Sequence, residues 1–559
     1  CVWCVLQKLC HDPLFISLFF LAAPFIAMWT AHRYVKNLTK SPVLSAAAAA
    51  LYALSPIALS AINSGRLGVA IALVLFPTFA SLLHHWNDIE NRSWRNIYAL
   101  TLLIWLISAF NPIALLLVAV FVLPAIFNDY KSVSRNYREP QFVARASRRL
   151  TLLLVPFLLS APSSFNYLLH PSRLLSEIGL SAAGGGPNLA LLANPGGLGS
   201  PPWWALSPIT LLLVVTYFST TVAQQYARYG VGFLLAGALI SSIPIYGNGS
   251  AQKVLAYAGL LLVAATFFAI TAAVAMFDDI RSRLEASHVS IAHISVALIL
   301  ALTTIYSATS TLWLVTTGAR SPLTRTAPNV LPAFLAVERD AKTLVIRPTY
   351  LDGHPSLAYY IARGGDLTLG QADIAPRDTP EISSAVEGLI DNTGVSSSKV
   401  LATYGIKYIF LKAPASQTIT QVIDGIGGFA RTSATDAGIV WKVISPTGHL
   451  TFTDQSANTK VLPFAGGRTY IPGAGTVTIT ENYSGAWHIL QNGKRLIKAR
   501  SENGLPVFTT TEAGDAVVLH DGTLRRAWLS LFLIFLATAI VMALPSGRRM
   551  RDRSDRELS

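Results

Sequence analysis

Few residues in the apolar part of this chain have side chains that could do chemistry. Two carboxylates fall in segments that the charge pattern below places on the outer side: Asp12, ahead of the first apolar stretch, and Glu177, in a long polar segment. The cations in the outer segments are equally few: Arg66, His170, Arg173 and Lys253. A carboxylate at a membrane face can take the proton from an attacking hydroxyl, or hold a metal. Guanidinium groups fit a lipid phosphate. Together these groups suit sugar transfer from a phosphate-linked lipid donor. Glu177 is the first candidate for the base and Asp12 the second. Arg66, His170 and Arg173 are the candidates for substrate contact.

Each candidate also has a plainer reading. Arg66 follows Asn63-Ser64-Gly65 between two apolar segments, where a charge is costly and needs a polar or anionic partner. It could equally snorkel to lipid headgroups. Arg173 and Glu177 stand four residues apart, so on a helix they share a face and form a structural ion pair. Trp487 and Tyr483 could stack against a sugar, or Trp487 could fill the core of a small sandwich.

The familiar catalytic signatures are missing: there is no P-loop, HExxH, GxSxG or dinucleotide fingerprint. Gly364-Gly365-Asp366 reads as a turn, and Asp352, Asp366 and Asp373 are scattered. Cys1, Cys4 and Cys10 are the three cysteines, so no disulfide framework holds the rest of the chain. Cys1 and Cys4 form a CxxC with no second pair nearby to complete a metal site. Neither a metal nor a cofactor is expected.

The elements that must position these residues are mostly apolar helices. Only 13% of the 559 residues are charged and 52% are hydrophobic, whereas soluble proteins carry about 25% charged residues. Eleven spans are predicted, at about 13–31, 42–60, 67–84, 94–109, 112–128, 150–163, 206–223, 230–246, 254–276, 290–315 and 526–545. Pro112 separates two short helices or kinks one.

Charge orients the spans. Arg33, Lys36, Lys40, Arg92, Arg95, Lys131, Arg135, Arg138, Arg145, Arg148, Arg149, Arg228, Arg281 and Arg283 fall in one set of alternate loops, and five arginines follow residue 546. The opposite loops hold Arg66, Arg173 and Lys253, with Lys8 before the first span. The positive-inside rule makes the first set cytoplasmic. The net charge of +14 is then an orientation signal and a contact for anionic lipid, and no nucleic-acid partner is expected. Residue 1 falls outside with no signal peptide, which predicts an earlier span upstream.

The long outer loop at 164–205 carries Gly/Pro clusters that read as turns, and Trp203-Trp204 suits the membrane interface. Residues 316–525 have the composition of a globular extracytoplasmic domain, dividing near 446. The part at 316–445 alternates strands (342–346, 406–411) with helices (356–362, 381–390, 398–404, 417–426), an α/β pattern. The part at 446–523 reads as a small β-sandwich, with Gln491-Asn492-Gly493-Lys494 as a hairpin turn. A last transmembrane helix (526–545) and a basic tail (546–559) follow.

From Ser55-Pro56-Ile57-Ala58 through Ser64-Gly65-Arg66-Leu67-Gly68-Val69-Ala70 to Phe76-Pro77, the chain resembles a group of large actinobacterial membrane proteins of the family 2 glycosyltransferase type. His170-Pro171 to Glu177-Ile178-Gly179-Leu180, Leu401 to Ile409 and the Trp487 to Gly493 hairpin are similar to other recurring segments of that group. The resemblance covers most of the chain. It implies a multi-pass region of GT-C-like type, with an extracytoplasmic domain, one last span and a basic tail. It also implies an N-terminal cytoplasmic glycosyltransferase domain, which this sequence lacks. The expected role is the membrane region of a cell-envelope glycosyltransferase acting on a lipid-linked sugar and an envelope glycan. The alternatives are a lipid-linked glycan transporter or flippase, and a glycan-binding membrane scaffold.

Overall fold

The computed structural model describes residues 13–84, 94–133, 140–176, 186–194, 203–219, 221–246, 253–286, 331–338, 341–351, 354–363, 380–389, 397–464, 466–481 and 483–544, with scattered positions between 294 and 316. The first part is a helical bundle and the second is rich in sheet.

The bundle opens with α1 (Pro13–Val35), α2 (Pro42–Ala53), α3 (Pro56–Asn63) and α4 (Leu67–His84). Ser41 caps α2 by accepting from the Leu44 amide, with Pro42 beside it at the first turn. Ala23, Ala27 and Ala31 are buried on one stripe of α1, and such small residues let helices approach closely. Thr30 of α1 donates to the Val74 carbonyl of α4, and Tyr52 of α2 donates to Leu73. Next come α5 (Trp94–Phe110), α6 (Ile113–Val133), α7 (Pro140–Leu159) and α8 (Ser163–Leu169), the last two bent by 101°. A 3₁₀ turn (Pro171–Leu175), α9 (Gly186–Leu191), α10 (Trp203–Tyr217) and α11 (Thr221–Ser241) follow.

Strands β1 (Pro244–Tyr246) and β2 (Lys253–Leu255) then pair antiparallel and lead into α12 (Gly259–Ala286). Up to Phe277 this helix is apolar on all sides, and it sits at the centre, with 78% of its span buried. Its Phe267 takes ring contacts from Tyr34, Tyr52 and Phe76.

Among the described residues four helical stretches are long and apolar enough to cross a membrane: 15–35, 42–63, 259–281 and 523–543. Counting the bent pair α7–α8 as one span makes five. The helices at 67–83, 94–110 and 113–124 are apolar but shorter. The predicted spans differ from these elements in several places. The stretch 42–60 is broken at Ser55-Pro56, because proline removes a helix donor. The stretches 230–246 and 254–276 overrun into β1 and β2, whose apolar residues hydropathy does not distinguish from helix. Arg228 lies inside α11 rather than in a loop. The clusters read as turns in 164–205 include Gly186-Pro187, which begins α9. The predicted span at 290–315 lies almost wholly outside the described residues.

The sheet-rich part starts with α13 (Ala333–Val337) and a five-stranded sheet of order β4-β3-β5-β7-β6. Its strands are β3 (Lys342–Leu351), β4 (His354–Arg363), β5 (Ile406–Lys412), β6 (Phe429–Thr435) and β7 (Gly438–Val443). β3 and β5 are parallel, and the other pairs are antiparallel. Helices α14 (Pro380–Gly388), α15 (Ser397–Thr403) and α16 (Gln417–Gly425) cover one face, where Leu344, Ile346, Tyr359, Ile361 and Trp441 are buried. Val345, Tyr360, Ala362 and Phe410 fill the other face under Leu331 and Leu335.

The helix predicted at 356–362 is instead β4, paired with β3 along its whole length. Tyr359-Tyr360-Ile361-Ala362 is buried on both sides, so alternation is absent and the apolar run mimics a short helix.

Two further sheets pack over one core of Leu450, Phe452, Ile471, Val477, Ile489 and Phe508. One has the order β14-β15-β11-β8-β9 and the other β10-β16-β12-β13. The first comprises β8 (Leu450–Asp454), β9 (Thr459–Val461), β11 (Gly475–Ile479), β14 (Ile497–Arg500) and β15 (Pro506–Thr510). The second comprises β10 (Arg468–Ile471), β12 (Trp487–Gln491), β13 (Lys494–Arg495) and β16 (Gly514–His520). Asn492 and Gly493 turn β12 into β13, both at positive φ. Helix α17 (Thr523–Ala543) follows directly and is largely exposed, with 11% of its span buried. It leans on the bundle through Trp528, which donates to the Ala161 carbonyl, and through Phe532 against Trp105.

Candidate functional site

Three turns and one hairpin meet at one end of the bundle. The first turn follows from Asn63-Ser64-Gly65-Arg66. Gly65 takes φ 68°, a left-handed conformation that glycine adopts without penalty. The Gly65 amide then donates to Ile62 and the Arg66 amide to Ala61, the double bond of a Schellman ending. This fixes Arg66 at the mouth of the bundle. Its guanidinium carbon lies 3.4 Å from the ring centroid of Tyr257. Tyr257 is buried, held just after β2 and before α12.

The second turn is Asn111-Pro112, between α5 and α6. Asn111 is buried, and its side-chain amide donates to the Gly68 carbonyl at 2.6 Å, which ties this turn to the start of α4. The third is the 3₁₀ turn, whose Leu174, Leu175 and Ser176 share a small cavity with Asn111, Pro112 and Tyr257. That cavity has about 10 Å³ of room, about what a single water needs. Ser176 closes the turn by donating to the Arg173 carbonyl at 2.8 Å.

The structure thus brings Arg66 and the 171–176 segment around one point. Arg173 is half-buried in the 3₁₀ turn, and His170 is exposed, 3.1 Å from Asn166. The 3₁₀ turn that holds Arg173 stops at Leu175, and Ser176 is extended. Glu177 and Asp12 lie outside the described residues. Trp487 is elsewhere, half-buried against the sandwich core, with ring contacts to His449 and His520. Among the described residues no cluster of His, Cys, Asp or Glu could hold a metal ion.

Sequence reasoning missed Tyr257, which fell inside a predicted span, and read Asn111 only as a helix break. It also missed a charged cluster where the five-stranded sheet meets the sandwich. Glu481, just after β11, accepts from Arg363 of β4, lies 3.6 Å from Lys342 of β3 and 3.3 Å from His449 Nδ1. Lys342 also donates to the Tyr404 carbonyl at 3.3 Å and to the Thr480 carbonyl. Burial opposes ionisation of Glu481. The His449 hydrogen bond and the Lys342 and Arg363 charges outweigh it and hold the carboxyl at about 2. Burial pulls Lys342 down to about 8, against the attraction of Glu481. Positions 342, 363, 449 and 481 share no local pattern, so no motif could have shown this cluster.

No family model and no curated protein matches the chain. Among solved structures it is similar to arabinofuranosyltransferase AftD from mycobacteria, with TM-score 0.45 and 13% identity over 79% of this chain. A mutant of AftD gives TM-score 0.41 and 13% identity over 78%. The chain spans 35% and 36% of those proteins' lengths. At this identity and these scores, the likeness says nothing about the reaction.

Proposed function

We propose that this chain is the membrane and extracytoplasmic region of a cell-envelope glycosyltransferase that uses a polyprenyl-phosphate-linked sugar at the outer face. The observation that carries the reading is the convergence of Arg66, Tyr257, Asn111 and the 171–176 segment at one end of an apolar bundle. A guanidinium held at such a mouth suits a lipid phosphate, because it is fixed, charged and flanked by apolar surface. The charge asymmetry of the loops supports an outward orientation for this end and for the sheet-rich part.

In this scheme Arg66 and Arg173 hold the phosphate, His170 contributes to the donor contact, and Glu177 takes the proton from the acceptor hydroxyl, with Asp12 the second choice. Trp487 is kept as a sugar-stacking candidate in the sandwich.

The test is incubation of the purified chain with a radiolabelled polyprenyl-phosphate sugar and an envelope-glycan acceptor. Transfer that is lost in Glu177→Gln, in a protein that still folds, supports the assignment. Full activity in that variant removes Glu177 as base. Binding without transfer in the unmodified chain favours a glycan-binding scaffold, and lipid movement without transfer favours a flippase.

A further inference from the structure

We infer that the membrane-proximal end of the sandwich is a docking surface for anionic phospholipid headgroups, formed by Arg495, Lys498 and Arg500 around Tyr483. Residues 483–500 contain four Lys and Arg and no Asp or Glu. Lys494 belongs to the far end, beside Gln491. Lys498 and Arg500 gather on the loop that precedes Trp487, and Arg495 reaches the residue that follows it. Lys498 donates to the Ser484 carbonyl, and its ammonium lies 4.6 Å from the Tyr483 ring centroid. The Arg500 guanidinium lies 5.6 Å from the same ring, and Arg495 reaches His488 Nδ1 at 2.6 Å.

The chain itself says what this surface faces. Trp487 pairs with His520, the last residue of β16, and the Asp521 amide donates to the Ala486 carbonyl. Helix α17, long and apolar enough to span a bilayer, begins at Thr523 with Arg525 and Arg526 in its first turn. The 483–488 loop therefore abuts the point where the chain enters the membrane. Tyr483, the ring beneath Lys498 and Arg500, is 42% exposed, and Leu524 in the first turn of α17 and Ile497 in β14 are 85% and 79% exposed. An aromatic and aliphatic edge ringed by cations suits the headgroup layer.

The acidic groups near the surface are Asp521, which faces His488 and Arg526, and Glu502, two residues past Arg500. Glu512 and Asp515 lie at the opposite end, near the Gln491-Asn492 turn. Each cation near an anionic surface strengthens binding roughly five-fold, so three give on the order of a hundred-fold.

The experiment places the full chain in nanodiscs of phosphatidylcholine alone, or with added phosphatidylglycerol, and follows hydrogen exchange. Phosphatidylglycerol is expected to slow exchange at 483–488 and 496–500 several-fold and to leave 406–412 unchanged. The triple variant Arg495→Gln, Lys498→Gln, Arg500→Gln should lose that difference. If this variant does not fold, a sodium chloride titration of the unmodified chain decides: protection that survives high salt overturns the proposal. So does no effect of phosphatidylglycerol, or an undiminished effect in the folded variant. Protection by soluble polygalacturonate in phosphatidylcholine discs, with none from phosphatidylglycerol, assigns the surface to an anionic glycan and also overturns it.

Discussion

Arg66 lies over the face of Tyr257, with 3.4 Å between guanidinium carbon and ring centroid, although 191 positions separate them in the chain (257 − 66). The contact joins a Schellman turn to the start of the central helix. It also holds a guanidinium in place at an apolar mouth, where a free charge would be costly.

Removing either partner should have separable effects. Tyr257→Phe keeps the ring and should leave stability and transfer within about two-fold. Tyr257→Leu should lower stability by about 1 kcal/mol by removing the cation–π contact. Arg66→Ala should reduce transfer at least ten-fold, as loss of one charged contact worth about 1.4 kcal/mol or more predicts. Thermal melting in detergent and the radiolabel assay read the two effects separately. Unchanged transfer in Arg66→Ala takes the phosphate role away from this residue.

Asn111 ties the α5–α6 turn to the start of α4 through one buried hydrogen bond to Gly68. Asn111→Ala should destabilise the bundle by roughly 1–3 kcal/mol, because the hydrogen bond to the buried Gly68 carbonyl is lost. Limited proteolysis should show faster cleavage at the 110–113 turn in the variant. Equal rates would show that the turn is held by helix packing alone.

Acid should loosen the junction of the two sheet-rich units. Glu481 titrates at about 2, below its ordinary value of 4.5, so its contribution is present above pH 4.5. It is lost as pH falls from 4.5 towards 2, and amounts to roughly 3 kcal/mol for a carboxylate this well buried. Lys342 shifts stability with pH in the same direction, over a higher range. Its value of about 8 lies below the ordinary 10.5, so its burial cost is relieved as pH rises between the two. Glu481→Gln should cost about 3 kcal/mol, because it leaves Lys342 and Arg363 uncompensated. Melting curves at pH 3, 5 and 7 test this, and an identical acid profile in the variant would remove Glu481 as the cause.

Gly405 ends α15 at φ +74°, and a Cβ there would meet Thr480 Oγ1 at 2.5 Å. Gly405→Ala should therefore cost more than the roughly 1 kcal/mol of an unfavourable backbone alone. The added strain falls on Thr480, next to Glu481, so hydrogen exchange at 448–450 and 480–481 should quicken. A variant as stable as the parent would mean that the two units slide without cost.

The sequence alone determined most of the local structure. Low charge and long apolar runs made the first part helical and membrane-like, because only closed backbone hydrogen bonding survives in lipid. Asn492-Gly493 marked a hairpin, since both residues accept positive φ. Gly405 marked a helix end for the same reason. These signals act within a few residues, so a single chain reveals them.

The tertiary structure decided the rest. It made Tyr359 to Ala362 a strand, because a run buried on both faces has no period to read. It paired Arg66 with Tyr257 and gathered Lys342, Arg363, His449 and Glu481, groups that touch only when distant elements pack. Burial and long-range charge set those contacts and their protonation. Both depend on which elements end up as neighbours, and local spacing along a chain does not carry that.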